Sequence, residues 1–405
     1  MTALTPDEAA LSAPDGAVQG LEADRPSAPA LQPAPQATDP ALHALIEQVR
    51  AARADGTGLD IRGGGTKTWY GEAPQGAPLD VTGLRGISSY EPTELVVTVR
   101  AGTPLAELEA ALAEKGQCLP FEPPRFGDAG TVGGMVAAGL AGPARAAVGG
   151  VRDYVLGATL LNGRAEVLSF GGQVMKNVAG YDVARLLAGS MGTLGVICEV
   201  SLKVLPVPVA RTTLRFDVDQ ADALRLLNTW GGQPLPLSAS AWWQGVLVLR
   251  LAGAAAAVDA AVARLGGEVV DPAMADAFWT GLRDQNDEYF VEAAKCVGQG
   301  VDQGEATGAA LWRLSVPSVA PPLALEGDTL VEWGGAQRWL VCSAAAAQVR
   351  AAAAAGGHAT LYRAQDKSPG VFAPLSAPLA RIQRQLKAAF DPDGVFNRGR
   401  FYPEF

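Results

Sequence analysis

Histidine is nearly missing from these 405 residues; there are two, His43 and His358. Cysteine is almost as scarce. Cys118, Cys198, Cys296 and Cys342 lie far apart and form no CxxC pair. That spacing argues against a structural zinc or iron–sulfur site. It argues equally against a disulfide framework, so a reducing cytoplasmic setting fits. No metal site is expected. There is no run of about 18 apolar residues, so no transmembrane segment is expected. The first residues lack the basic and apolar stretches of a secretory signal. Positive charge is in deficit too, with 32 basic against 42 acidic residues and a net charge of −10. A nucleic-acid partner is therefore not expected, because phosphate backbones need concentrated positive charge. Small anions need only a few backbone N–H groups and stay open.

What is present is apolar mass: 48% of the chain is hydrophobic, enough for more than one core. The length suggests two or three domains. Residues 1–38, rich in Ala and Pro, read as a disordered tail. Asp39-Pro40 reads as an N-cap and first-turn proline. Leu42, Leu45, Ile46 and Val49 then fall on one helical face. Strands are expected at 59–62, 79–82 and 95–100, and a helix after Thr103-Pro104 that ends at Gly116. A hairpin is expected around Asn162-Gly163, then a helix at 181–189. Residues 193–205 alternate cleanly and predict a half-buried strand. Pro206 and Pro208 mark a boundary. Strands and helices interleave beyond it, which reads as an α+β cap domain over 208–376. A C-terminal helix and tail occupy 377–405. The first folded domain thus spans 39–207.

Three glycine segments fall in that domain. The first, Arg62-Gly63-Gly64-Gly65-Thr66-Lys67, follows a strand. Its glycines allow close backbone approach, and successive N–H groups can form a nest for phosphate oxygens. The spacing matches neither GxGxxG nor GxxxxGK[ST]. A glycine-rich surface turn is the plain alternative. The second runs through Asp128, Gly130, Thr131, Gly133 and Gly134 into a helix whose N-terminus can face an anion. Close helix–sheet packing is the other reading, and the two are compatible. The third contains Lys176, Asn177, Gly180 and Tyr181, then Gly192, Thr193, Gly195, Val196 and Ile197. There a glycine turn entering a strand can bring main-chain atoms against a flat ring.

Taken together, RGGGT, DAGTVGGM and KNVAGYD…GSMGTLGVI resemble the FAD-binding domain shared by vanillyl-alcohol oxidase, the cresol methylhydroxylase flavoprotein and D-lactate dehydrogenases. The resemblance covers residues 41–207. It implies an α+β fold, a PCMH-type domain of two subdomains with FAD between them, followed by the smaller cap. It also implies that the residues just named contact FAD. Met191 stands where many relatives carry Glu, a change the backbone contacts tolerate. The run KNVAGYDVARLLAGSMGTLGVICEVSLKVLP is similar to the FAD-binding E subunits of bacterial glycolate oxidase. So is the C-terminal Gly394-Val395-Phe396-Asn397-Arg398-Gly399-Arg400, although Arg398 replaces a usual Pro. That resemblance implies a complex with a second flavoprotein subunit and an iron–sulfur subunit. Such a complex oxidises glycolate to glyoxylate and sits at the inner membrane face through its partners.

Related 2-hydroxy-acid dehydrogenases carry a histidine-rich segment in their C-terminal half, and this chain has none. His358 alone could supply an imidazole base there. An ordinary structural histidine is the plainer reading. No histidine lies within 44–357, and Cys198 falls on the apolar face of a strand, so FAD is expected to be non-covalent. Arg338 and Arg363 could hold a carboxylate, but surface ion pairs are the expectation. Trp333 and Trp339 share their strands. Trp242-Trp243 reads as one core and one interface side chain. Three readings follow: a FAD-binding subunit of a glycolate-oxidising complex, a self-sufficient FAD-linked 2-hydroxy-acid dehydrogenase, or a structural subunit with a vestigial flavin fold.

Overall fold

The computed structural model describes residues 39–172, 183–298 and 308–404. The expected tail over 1–38 lies outside them. The first helix, Pro40–Asp55, begins as its sequence predicts. The Asp39 carboxylate accepts from the Ala41 N–H, Pro40 fills the first turn, and Gly56 closes the helix at φ 68°. Leu45, Val49 and Ala52 form its buried face. Beneath it, Leu59–Arg62 and Ala77–Asp80 pair in parallel. The second of these begins two residues before the expected strand.

A five-stranded antiparallel sheet follows, in the order Ile87–Glu91, Val96–Arg100, Val196–Lys203, Val155–Leu161, Val167–Gly171. Its hairpin is wider than a two-residue turn. The Asn162 side-chain oxygen accepts the N–H groups of both Arg164 and Glu166, so five residues make the connection. The alternation read over 193–205 is broken once. Glu199 pairs with Thr159 and Ile197 with Leu160, leaving Cys198 in a bulge. Val196 and Cys198 therefore face the core under the first helix, whereas Ile197, Val200 and Leu202 face the core under helices Leu105–Ala113 and Val132–Ala138. A bulge reverses the two-residue period, so one strand serves two cores.

The C-terminal half forms an eight-stranded antiparallel sheet. Its order is Glu268–Val269, Ala210–Asp217, Val246–Gly253, Leu237–Trp243, Asp328–Glu332, Gln337–Cys342, Ala310–Ser315, His358–Arg363. Helices Gln220–Gly231 and Ala255–Leu265 cover Leu214, Leu247, Leu249 and Leu251. Two further helices, Pro272–Asp284 and Glu288–Gly298, were not expected from the sequence. They bury Trp279, Tyr289 and Phe290 in one core with Trp339 and Tyr362 of the sheet. Tyr70, Leu140 and Met191 of the N-terminal half join that same core. After the last helix, Ala377–Phe390, the chain returns to the first half. Leu59 donates to Val395 O at 2.7 Å, and Asn397 donates back to Leu59 O at 2.8 Å. The tail thereby extends the small parallel pair, with Phe396 fully buried.

Candidate functional site

A groove opens where the strand Leu59–Arg62 ends. It is lined by residues 60–68, Tyr70, Thr131, Gly134, Met191, Asn397 and Arg400, among others. Arg62, paired with Asp60 at 2.6 Å, leads into the glycine run. A side chain on Gly63 would come 2.3 Å from Thr131 Oγ1, and one on Gly64 would come 1.5 Å from Ala129 O. These two glycines let the first loop lie directly on the second. Gly65 turns the chain at φ 68°. The N–H groups of Gly63, Gly64, Gly65, Thr66 and Lys67 find no acceptor among the described residues. The run is partly exposed, and five free donors in succession along a groove are suited to oxyanions.

The Lys67 side chain adds the charge. Its ammonium lies 3.4 Å from Thr66 Oγ1 and 5.7 Å from the Phe126 ring centre. No carboxylate among the described residues pairs with it. Burial draws its pKa down to about 8. An anion placed in the groove would reverse that penalty.

In the second segment the packing reading is the one the contacts display. Thr131 caps the helix Val132–Ala138. Its first-turn N–H groups are already taken: Val132 by Thr103 O at 2.9 Å, Gly133 by Ala101 O at 2.7 Å, Gly134 by Thr131 Oγ1 at 3.2 Å. A Cβ on Gly133 would sit 2.6 Å from that of Ala101. Close helix–sheet packing accounts for Gly133. Thr131 and Gly134 reach the groove; Asp128 and Gly130 lie on the same loop but do not line it.

Of the third segment, Lys176, Asn177, Gly180 and Tyr181 lie outside the described residues. Met191 lines the groove. Gly192, at φ 72°, leaves room for the Asn397 amide, and Gly195 lies close to Leu161 O. Thr193 closes a turn onto Ser190 O at 2.8 Å. Val196 and Ile197 are buried in the two cores. Gly192 to Ile197 therefore shape the backbone behind the groove.

Sequence reading did not single out Asn397 or Arg400. The Asn397 amide donates to Met191 O at 2.6 Å and accepts from the Ile61 N–H at 2.8 Å, joining the first and third segments. Arg400, 6% exposed, donates to Thr68 O at 2.8 Å and to Glu72 O, and so holds the loop after the glycines. The available signal was the Asn397–Arg400 run itself, which carried a resemblance but no assigned contact.

His43 and His358 are both exposed, and neither lines the groove. Cys118 and Cys198 do not line it either; burial pushes the Cys198 thiol up to about 12. The surface ion pairs expected for Arg338 and Arg363 are corrected. Arg338 is fully buried and donates to Gly335 O at 2.7 Å and Ala320 O at 3.0 Å. Arg363 lies over Trp69 at 4.1 Å. Neither has a carboxylate partner among the described residues. Backbone carbonyls take two of the Arg338 nitrogens, while its Nη1 is buried without a partner, and Arg363 rests on the aromatic face of Trp69. Trp242 donates to Val218 O and Trp243 to the Asp328 carboxylate, each on its own face of the strand.

A buried carboxyl lies where the halves meet. Glu332 Oε2 accepts from Trp339 Nε1 at 2.5 Å and from Gln337 Nε2 at 2.9 Å. Burial, only partly offset by these donors, pushes its pKa from 4.5 to about 7. The folded chain thus binds this proton more tightly than the unfolded chain. Its stabilising effect is complete below pH 4.5 and is lost as pH rises through 7, about 3 kcal/mol in all. Glu332→Gln keeps an oxygen for both donors and removes the titration. We expect the variant to match the native chain at pH 5 and exceed it by about 2 kcal/mol at pH 8 in urea unfolding. Asp287, raised to about 6 by burial, titrates in both proteins; its charge also helps raise Glu332, so part of the expected difference belongs to the pair. Equal differences at the two pH values would refute the assignment.

Fold and groove mark the chain as a flavoprotein-type oxidoreductase chain. The FAD binding domain family matches residues 42–171. The fold is shared with alkyldihydroxyacetonephosphate synthase, at a TM-score of 0.57 and 14% identity over 88% of this chain and 74% of that one. Glycolate oxidase subunit GlcE of Escherichia coli (strain K12) is 48% identical over 362 residues, 89% of this chain and 97% of that protein. The chain belongs to the GlcE family of glycolate oxidase subunits. Glycolate oxidase subunit GlcD of Bacillus subtilis (strain 168) is 32% identical over 40% of this chain and 35% of its own length. A D-lactate dehydrogenase of Anaerostipes hadrus is 34% identical over 33% of this chain and 28% of its own length. Among the described residues no cluster of ligating side chains could hold a metal. Among the same residues no helix is long and apolar enough to cross a membrane.

Proposed function

We propose that this chain is the FAD-binding subunit of an assembly that oxidises glycolate to glyoxylate. The observation that carries it is the run of five N–H groups from Gly63 to Lys67, with the buried Lys67 ammonium beside them. Those groups would hold the FAD pyrophosphate, with Thr131 and Gly134 opposite. FAD, when bound, supplies a two-electron acceptor for hydride from the carbon bearing the hydroxyl. This chain's residues bind and orient it. The flavin domain occupies 39–207, completed by the tail that carries Asn397 and Arg400, and the cap occupies 208–376. Lys176, Asn177, Gly180 and Tyr181 are read as further FAD contacts on the strength of the sequence resemblance. The partners are a second flavoprotein subunit and an iron–sulfur subunit, which together take the electrons at the cytoplasmic face of the membrane.

Division of labour follows from what the groove lacks. A hydroxy-acid oxidation needs a base for the hydroxyl proton. Both histidines are exposed and off the groove, and the acceptor oxygen of Glu332 is held by Trp339 and Gln337. We expect the purified chain to be yellow and to release FAD on acidification, since no thiol lines the groove. With glycolate and a dye acceptor, sustained turnover should appear only when the partner subunits are added. Comparable turnover by the isolated chain would instead favour a self-sufficient dehydrogenase. A colourless chain that takes up no FAD would favour a vestigial flavin fold.

A further inference from the structure

Residues 66–72 follow the glycine run and belong to no helix or strand. Such a stretch has no ladder of its own, so its main-chain carbonyls take donors from elsewhere. Two cationic side chains from distant parts of the chain supply them. Arg400 of the tail donates to Thr68 O and Glu72 O. Lys367 of the cap donates to Trp69 O at 2.5 Å and to Gly71 O at 2.8 Å. A third cation reaches the side chain between them. The Arg313 guanidinium, on the cap strand Ala310–Ser315, hydrogen-bonds the Tyr70 hydroxyl. Its Nε is itself fixed by Gln337 Oε1 at 2.8 Å. Tyr70 lines the groove.

The cap turn that carries Lys367 docks on the same loop. Val371 donates its N–H to Glu72 Oε1 at 2.6 Å, and the Phe372 ring lies edge-on to Tyr70, 6.1 Å between centres. Gly71 permits the close fit. At φ 85°, a Cβ there would come 2.5 Å from Met191 Cε and 3.0 Å from Arg400 O. The loop is thus packed on the tail and Met191 and tied to the cap. Apolar contacts alone would hold two halves together. Charge-assisted hydrogen bonds aimed at successive carbonyls of one short stretch do more, because they fix its backbone. That stretch begins where the free N–H groups of residues 63–67 end, so displacing it displaces them.

We propose that the cap forms part of the cofactor site: Lys367, aided by Arg313, is a positioning residue that holds residues 68–72 so that the preceding N–H groups face the FAD pyrophosphate. FAD binding and the docking of residues 366–372 then strengthen one another, since coupling between two sites is reciprocal. The inference rests on the reading of the groove as the FAD site. It adds a cap residue from beyond the flavin domain.

The test measures FAD dissociation constants by flavin fluorescence, and hydrogen exchange of the full chain by mass spectrometry with and without FAD. In the native chain FAD should slow exchange over residues 366–372 about tenfold, although none of them lines the groove. Lys367→Met should weaken FAD about 30-fold and abolish that slowing. Lys367→Arg, which keeps the charge and the donors, should recover most of both. Tyr70→Phe keeps the ring and loses the bond to Arg313, and should cost about fivefold. The exposed Lys115→Met should match the native chain. If Lys367 only braces the cap, Lys367→Met lowers the melting temperature of the FAD-free chain and leaves both the FAD affinity and the slowing as they were. That result overturns the proposal. So does a native chain that holds FAD without slower exchange over 366–372, an outcome that needs no variant to fold and leaves the flavin-subunit reading standing. A native chain that binds no FAD sinks both.

Discussion

Gly64→Ala should leave the purified chain with about 100-fold weaker FAD retention, although it adds a single methyl group. The new Cβ would sit 1.5 Å from Ala129 O and 2.3 Å from Ala129 C. Neither atom is the far end of a flexible side chain, so the two loops must separate. Separation displaces the N–H groups of Gly63 to Lys67 from Thr131 and Gly134 across the groove. The expected mechanism is therefore loss of loop apposition. The sequence had suggested instead that a side chain would block a phosphate directly. Gly116→Ala is the control. Gly116 also has a positive φ, at 63°, but nothing lies within 4 Å of its missing Cβ and it is far from the groove. It should cost about 1 kcal/mol of stability and leave flavin content unchanged. Absorbance of the bound flavin after gel filtration, with acid release to count FAD, gives the comparison. Full FAD content in Gly64→Ala would show that the groove does not depend on this contact.

What could be read from the sequence divides along physical lines. The first helix was legible because its signals are local: Asp39, Pro40 and a 3.6-residue apolar period. The cap was legible only as interleaved strands and helices; the clean alternation lay in 193–205. The bulge at Cys198 was not legible, because a register shift depends on the partner strand, and the alternating pattern itself gives no hint of it. Gly133 shows the same limit at the candidate site. A glycine before a helix suits an anion and suits close packing equally, and only the position of Ala101 decides. Arg338 looked like a surface charge because strand propensity does not report which carbonyls converge on a buried guanidinium. The contacts of Asn397 to Ile61 and Met191 span more than 200 positions in sequence, and no periodicity reaches that far. The glycine run 63–65 was legible as backbone chemistry, whereas the loop it rests on was not.

The same long-range closure gives the largest expected effect on stability, at Asp391. Its carboxylate is 1% exposed and fully used. Oδ1 accepts from Val395 N at 2.8 Å; Oδ2 accepts from Phe396 N at 2.8 Å and from Lys387 Nζ at 2.6 Å. Lys387 spends its other two protons on Thr193 O at 2.7 Å and Phe396 O at 2.8 Å. Burial draws its pKa down, and Asp391 opposes that shift. One ion pair thus ties the last helix to the third glycine segment and to the strand that brings Phe396 against Leu59. Asp391→Ala would strand a buried ammonium and two backbone N–H groups together. Breaking one side of a buried pair costs about 3–5 kcal/mol. We expect a loss of that size in urea unfolding. Flavin retention should fall in parallel, because Asn397 and Arg400 follow directly after the released turn. Lys387→Met in the Asp391→Asn background removes both charges and should recover more than half of the lost stability, since no unpaired charge remains. If Asp391→Ala instead unfolds within 1 kcal/mol of the native chain and keeps its flavin, the tail is docked by its apolar residues, Val395 and Phe396, and the ion pair is incidental.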